Sequence, residues 1–501
     1  MTPITRTTPA GRVASHPKLS ALVRQAAAFR LIPAIDTYPR IVALAQTKLG
    51  KGLLLSLFAA ALRLRFEPIL CLAMTTILAA TTFLPNHRRW IVTGGTLLWL
   101  ARFPFWFDWA VPQYVAQTHG VAGAFNFSFL RAVALAAVFI FSVLLIHLAS
   151  RYPGALPFRR PVLTLALLYA VLLMFASVIL SGKIDVIAWS FVATLGAYFW
   201  FLAYALIDAR AKDGDSAGLQ LGAFHPFWGS STTPLPKGAS YLRRIECKEA
   251  RGLAITQLKA FKLLAWACIL NIAADLFAKI AHMTLAIPSF QAAFNSVVVG
   301  APLPWYVCWL ALITAFAEEV LNLSVWGHTI IACCRMAGFC ALRNTYKPLE
   351  AKTIAEFWNR YYFYFKELLV DFFFYPTFFR YFKRRKRLRI AAATFMAAGL
   401  GNMFFHFIRD IRFVAQLGLW RAVMGFHVYA FYCFGLSAGI VASQLRSRKH
   451  RRSSHWFWVT VSPRFGVLLF YSLLMIFGDT ERTYPLSLHL AFFLRLFGIR
   501  I

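Results

Sequence analysis

In the run GLGNMFFHFIRD (399–410), Asn402 and His406 are four residues apart, which on a helix puts both on one face, with Arg409 and Asp410 a turn later. An imidazole can take a proton from a hydroxyl and later protonate a leaving thiolate, and a neighbouring carboxamide can orient either partner. The ordinary alternative is a histidine hydrogen-bonded between helices. Asn402 weighs against it, because polar side chains inside a membrane usually mark a pathway. His427, in MGFHVYAFYCFG, has no strongly polar neighbour and reads as a packing or supporting residue. His225 and His328 are candidates for lining a substrate's way in. Glu318 and Glu319 read as a helix-end pair in contact with a basic loop, with a proton or ion site as the alternative. No Walker loop, zinc signature or Gly-x-Ser-x-Gly elbow is present.

The elements that hold such residues follow from composition. The chain has 501 residues, 59% of them hydrophobic and 14% charged, with a mean hydropathy of +0.61. Those values lie outside the soluble globular range. Several apolar runs reach the ~20 residues that cross a bilayer as a helix, and none alternates as an outer-membrane barrel strand would. The expected fold is therefore all-α, a polytopic bundle of about ten to twelve transmembrane helices with re-entrant or interfacial segments. The formal charge of +34 sits at the ends of apolar runs, so it reads as the positive-inside bias and contact with anionic lipid headgroups rather than nucleic-acid binding. Part of it also suits docking an acidic carrier protein. The eight cysteines show no metal-ligand spacing, and the adjacent pair Cys333 and Cys334 is the one arrangement with scope beyond packing.

Residues 1–50 form a basic, proline-interrupted segment expected on the cytoplasmic side, without the pattern of a signal peptide. Residues 51–207 supply the N-terminal membrane helices, from runs near 67–84, 90–110, 130–149, 162–181 and 186–207. A shorter run at 52–62 is half of a bent helix interrupted by Arg63, Arg65 and Glu67. A loop rich in Pro, Gly, Ser and Thr occupies 208–252, followed by a helix at 253–277 and a helix pair at about 286–325. Between the basic clusters FKRRKRLR (382–389) and RSRKHRR (446–452), runs at 390–409 and 420–443 form a hairpin turning on the far side of the membrane. A rise of ~1.5 Å per residue then puts His406 roughly 24 Å along the first arm and His427 near the outer end of the second, close to one another. Residues 444–501 hold a basic loop, one more helix and a short apolar tail; no internal repeat of a transporter is visible.

The stretch Trp326–Tyr381 is too polar for an ordinary span and too aromatic for an ordinary loop. Within it, RMAGFCALRNTYKPLEAKTIAEFWNRYYFYFKELLVDFFFYP (335–376) resembles the most recognisable segment of the membrane-bound O-acyltransferase family. Gly338, Phe339, Asn344, Pro348, Phe357, Trp358, Arg360, Asp371, Tyr375 and Pro376 carry the match. The resemblance covers roughly residues 200 to 440, and the catalytic core it implies is 208–443. Two departures are visible: Tyr361 and Tyr362 follow Arg360 where the family has Trp and His, and Asn402 stands where the family's histidine usually follows Gly-Leu-Trp. His406, one turn on, keeps the same face; in strict register the catalytic position would be Asn402 itself.

The resemblance implies a bundle with a central tunnel in which an acyl thioester, from coenzyme A or an acyl carrier protein, meets a hydroxyl acceptor on a glycan, lipid or metabolite. No tightly bound cofactor or metal is implied. Asn344, Trp358, Arg360, Tyr362, Lys366 and His427 become substrate-contact candidates; Asn344, Arg360 and Lys366 are equally suited to holding a bent segment together. A bacterial inner-membrane location is the matching expectation. The rival readings are a transporter using Glu318, Glu319, Asp275 and the histidines, and a non-catalytic scaffold of the same descent.

Overall fold

The computed structural model describes residues 31–102, 110–211, 214–224, 226–228, 237–446, 457–478 and 484–499. His225, residues 1–30 and most of the second basic cluster lie outside them. The described residues are helical almost throughout, and eight helices are long and apolar enough to cross a membrane, or up to ten if each of two bent pairs counts as one span. This is the expected all-α polytopic bundle, with eight to ten candidate spans among the described residues against the ten to twelve expected.

The principal helices in chain order are α1 (Pro39–Gln46), α2 (Lys48–Arg63), α3 (Pro68–Phe83), α4 (Arg88–Arg102), α5 (Ala110–Thr118), α6 (Phe127–Arg151), α7 (Pro161–Met174) and α8 (Gly182–Ala209). Short helices α9 (Ala217–Phe224) and α10 (Ala239–Ile245) precede α11 (Ala250–Ala278), α12 (Phe290–Val298) and α13 (Trp305–Met336). Then come α14 (Ile354–Tyr361), α15 (Phe363–Leu369), α16 (Tyr375–Arg380), α17 (Lys386–Thr394), α18 (Asn402–Arg409), α19 (Leu419–Met424), α20 (His427–Leu445), α21 (Ser462–Met475) and α22 (Leu486–Arg495).

The bent helix read at 52–62 is real, but its break lies before the run, at Thr47, rather than at Arg63. There α1 and α2 meet at 97°, and Thr47 caps α2 by accepting from the Gly50 amide at 3.0 Å. A Cβ at Gly50 would fall 1.9 Å from the Leu44 carbonyl oxygen, so only glycine admits this bend. α3 and the following helix meet at 110° across Pro85.

α8 is the axis of the bundle. Within its most apolar window 78% of residues are buried, against 17–44% for the other candidate spans, so it is enclosed by protein where the others keep a face for lipid. Its rings Tyr198, Phe199 and Trp200 pack on Phe224 and on Phe404 and Phe405 of the segment expected to carry chemistry.

α11 and α13 run as a packed pair joined by polar bonds. Gln257 Nε2 donates to the Met336 carbonyl at 3.0 Å and to Thr82 Oγ1 at 2.9 Å. Near the other end of α11, His282 Nε2 lies 2.9 Å from Glu318 Oε1. Two sequence expectations are corrected here. α13 runs through to Met336, so residues 326–336 of the polar aromatic stretch belong to a spanning helix, and the pair at 286–325 is one short helix and one long one. Glu318 and Glu319 consequently sit mid-helix, not at a helix end. Their cost inside the span is lowered for Glu318 by the His282 partner, which lies 36 residues away and cannot be read from local sequence.

Five π-helical segments interrupt the helices among the described residues. Two of them, Val370–Phe374 and Phe395–Gly401, pack against each other: a Cβ at Gly401 would fall 2.6 Å from the Phe373 ring.

Candidate active site

Asn402 is the first residue of α18, directly after the second of these π segments. A π turn closes i to i+5 and inserts a residue relative to an α-helix, which re-aims the residues after it. Asn402 is 1% exposed, and its Oδ1 is buried without a partner. His406 lies one turn further on the same face, and its Nδ1 is likewise buried and unbonded. Each unsatisfied buried polar atom costs ~1–3 kcal/mol. Two on one face, in a helix whose other residues before the terminal Arg409 are Met, Phe and Ile, make a site short of a hydrogen-bonding partner.

The His406 ring is set among aromatics. Tyr429 of α20 lies 4.5 Å away between centroids, Phe405 5.4 Å and Phe365 6.0 Å. Phe365 is the hub that gathers the expected residues: its ring is 4.7 Å from Phe405, 5.4 Å from Tyr362 and 6.1 Å from Trp358. The structure thus brings His406, Tyr362 and Trp358 around one ring. Sequence reasoning passed over Phe365 and Tyr429, since neither carries a signal that separates it from the other core aromatics. Arg409 closes this end of α18 by donating from Nε to Asp410 Oδ1 at 2.8 Å and from Nη2 to Oδ2 at 3.2 Å.

Two cavities flank the segment. One of about 240 Å³ is lined by Trp358, Asn359, Lys366, Glu367, Thr394 and Gln444, with Ala397 and Ala398 of the π turn. The other, of about 420 Å³, is apolar and lined by Met403, Phe404, Phe407, Val423 and Phe426, with His427 at its edge. Residues 397–407 therefore contribute walls to a cavity of mixed lining and to an apolar one.

The other expected substrate contacts are placed elsewhere. Arg360 is consumed by local bonds: Nη2 donates to Glu356 Oε1 at 2.6 Å and Nη1 to the Lys347 carbonyl at 3.3 Å. Asn344 is 1% exposed, takes the Tyr364 amide on Oδ1 at 3.2 Å and accepts from the Phe363 amide at 2.9 Å through its carbonyl. Asn344 thus holds the start of α15, and Arg360 ties α14 to the loop before it. Lys366 pairs with Glu367 in the wall of the cavity of about 240 Å³, with its ammonium 4.7 Å from the Phe363 ring centroid. His427 is exposed, donates from Nδ1 to the Met424 carbonyl at 2.9 Å and accepts from the Leu486 amide at 3.2 Å. It caps a helix junction, and it does not turn inward with His406. His328 donates from Nδ1 to the Ser324 carbonyl at 2.6 Å within its own helix.

The remaining residues of the aromatic stretch build its frame. Gly338 adopts φ +94° with the Arg88 guanidinium against it, so that a Cβ would fall 2.7 Å from Arg88 Cζ. Arg88 is itself buried and donates to the Cys247 carbonyl at 2.8 Å. Phe357 is fully buried and stacks 4.0 Å from Tyr471, a burial worth ~2–3 kcal/mol. Asp371 accepts from Tyr204 Oη at 3.1 Å and lies 2.9 Å from Lys237 Nζ, which also reaches Glu367 at 2.6 Å. Burial pulls the Lys237 ammonium down, and its two carboxylate partners more than offset this, leaving it above its ordinary value. Burial likewise raises Glu367, and Lys237 and Lys366 outweigh it, so the carboxyl is held low. Cys333 and Cys334 are both buried among apolar side chains.

Among the described residues no three His, Cys, Asp or Glu side chains gather as a metal site. The chain matches no family model, and no curated protein matches it.

Proposed function

We propose that the protein is a membrane-embedded O-acyltransferase in which His406 is the general base. The observation that carries the reading is the pair of unpartnered buried atoms, His406 Nδ1 and Asn402 Oδ1, on one face of α18. A hydroxyl, which donates its proton, is the group that either atom would take. In the proposed reaction the imidazole takes the acceptor's proton as its oxygen attacks the thioester carbonyl, and the same proton then goes to the departing thiolate. Asn402 orients the acceptor, and Trp358 and Tyr362 shape the space around the acyl group. Enclosure by aromatic side chains excludes water that would otherwise compete with the acceptor.

The donor in this reading is an acyl thioester of coenzyme A or of an acyl carrier protein, the acceptor a hydroxyl on a glycan, lipid or metabolite, and the membrane a bacterial inner membrane with the N-terminus inside. The test is transfer of labelled acyl groups from thioesters by the purified protein in liposomes, with His406→Ala and Asn402→Ala alongside. Turnover lost in His406→Ala while the protein stays folded supports the reading; no turnover by the unaltered protein with several donors and acceptors overturns it.

A second reading, proton-coupled transport, is favoured by His282. Its Nδ1 faces the Ile287 carbonyl at 2.7 Å and its Nε2 faces Glu318 at 2.9 Å. A carbonyl only accepts, so Nδ1 carries hydrogen, and the Nε2 contact then needs one further proton shared with the carboxylate. Such a pair binds and releases a proton within a span.

A further inference from the structure

Cys247 and Cys340 are 93 residues apart in sequence, yet their Sγ atoms lie 3.3 Å apart. An isolated antiparallel bridge between Glu246 and Phe339 sets this distance. It is framed by the Cys247 amide on the Gly338 carbonyl at 2.9 Å and the Cys340 amide on the Ile245 carbonyl at 2.7 Å. Both cysteines follow their bridge residue by one, so both project to the face opposite Glu246 and Phe339. Thr256 Oγ1 stands 2.9 Å from Cys340 Sγ and 3.2 Å from Cys247 Sγ, holding the sulfurs together. The pair is also asymmetric: Cys340 is exposed, whereas Cys247 is buried. Six other cysteines are present, and none of them is exposed.

From this geometry we infer that Cys247 and Cys340 form a redox-active dithiol that closes to a disulfide by exchange with a small disulfide of the glutathione class. Cys340, facing solvent, is the attacking thiol. Its sulfur bonds to one sulfur of the small disulfide, whose S–S bond breaks and releases the first thiolate, which takes a proton from water. Cys247 then gives up its proton and attacks Cys340 Sγ, expelling the second small thiol. Two cysteine thiols and one small disulfide become one protein disulfide and two small thiols, so electrons and protons balance. Closing from 3.3 Å to the ~2 Å of a disulfide is within reach of side-chain rotation and a small shift of a two-residue bridge. The Cys247 S–H, with Thr256 and Arg335, favours the Cys340 thiolate and draws its pKa down, while its hydrogen bond with Cys340 and its burial push Cys247 up. This assigns the order of attack. The product ties the start of α11 to the end of α13 at the base of the aromatic stretch.

The test uses the full-length protein in detergent, treated with glutathione disulfide and mapped by mass spectrometry of unreduced peptides. The wild type should lose two titratable thiols and give the Cys247–Cys340 crosslinked peptide without retained glutathione. Cys247→Ser should stop at a glutathione adduct on Cys340, and Cys340→Ser should leave Cys247 unmodified. Glutathione retained on Cys340 of the wild type, or both thiols still free after treatment, overturns the proposal. The wild-type measurement decides the matter by itself if either variant fails to fold.

Discussion

The rings of His406 and Tyr429 lie 4.5 Å apart, joining α18 to α20 across the hairpin that the two basic clusters delimit. The two ring planes meet at 51°, and the contact leaves the imidazole Nδ1 without a hydrogen-bond partner. His406→Ala is expected to lower acyl transfer by about a hundredfold or more, the scale of a general base. Asn402→Ala should lower it less, and Tyr429→Phe, which keeps the ring contact, should retain most of it. Equal losses in all three, with unchanged unfolding temperatures, would remove the special role of His406.

Lys237 holds two carboxylates, Glu367 and Asp371, at 2.6 and 2.9 Å. Lys237→Met is expected to cost ~2 kcal/mol near neutral pH, the scale of a charged hydrogen bond with little exposure. The pH dependence follows from the direction of each shift. Glu367 is held low, so its contribution is present above its unfolded value of ~4.3 and is lost as pH falls through the folded one. Lys237 is held high, so its contribution is complete below ~10.4 and is lost as pH rises through the folded value. Thermal unfolding of wild type and variant across pH should therefore show a gap that is widest between ~5 and ~10 and narrows at both ends.

Gly338→Ala meets two obstacles, φ +94° and the Arg88 guanidinium. A loss of ~1–3 kcal/mol is expected from the backbone alone, read as a lower unfolding temperature in detergent. An unchanged temperature would mean that Arg88 and the 338–340 segment relax freely.

Glu318→Gln separates the two functional readings. It removes the shared proton at His282 while leaving the surroundings of His406 intact, so acyl transfer should persist within a few-fold. Proton uptake by liposomes that disappears in this variant, with no acyl transfer in any variant, would instead favour transport.

Much of the architecture was legible because apolar length is a local property. The runs at 130–149, 162–181, 186–207 and 253–277 correspond to α6, α7 with its π turn, α8 and α11 within a few residues. Bends were harder, since the α1–α2 break depends on Gly50 fitting under the Leu44 carbonyl rather than on the charges at Arg63 and Arg65. Within the site, the spacing of Asn402 and His406 was readable, and so was the bracing alternative for Arg360 and Asn344. What sequence could not supply were pairings across long separations. His282 with Glu318 and Cys247 with Cys340 carry no spacing rule, whereas the adjacent Cys333 and Cys334 drew attention and proved to be buried apolar packing.

The bent pair α1–α2 has a consequence for synthesis. Asp36, just before it, finds its cation in Lys262 at 2.5 Å, and Arg65, just after it, donates to Asn271 at 2.5 Å. Those partners lie 226 and 206 residues further along the chain. At ~5–20 residues per second, the ribosome delivers α11 some ten to forty-five seconds after the bent pair has emerged. During that interval the first membrane segment carries an unmatched acid and an unmatched guanidinium, so its final seating is postponed until the middle of the chain arrives. An early membrane segment of this protein is thus secured only once the middle of the chain has been made.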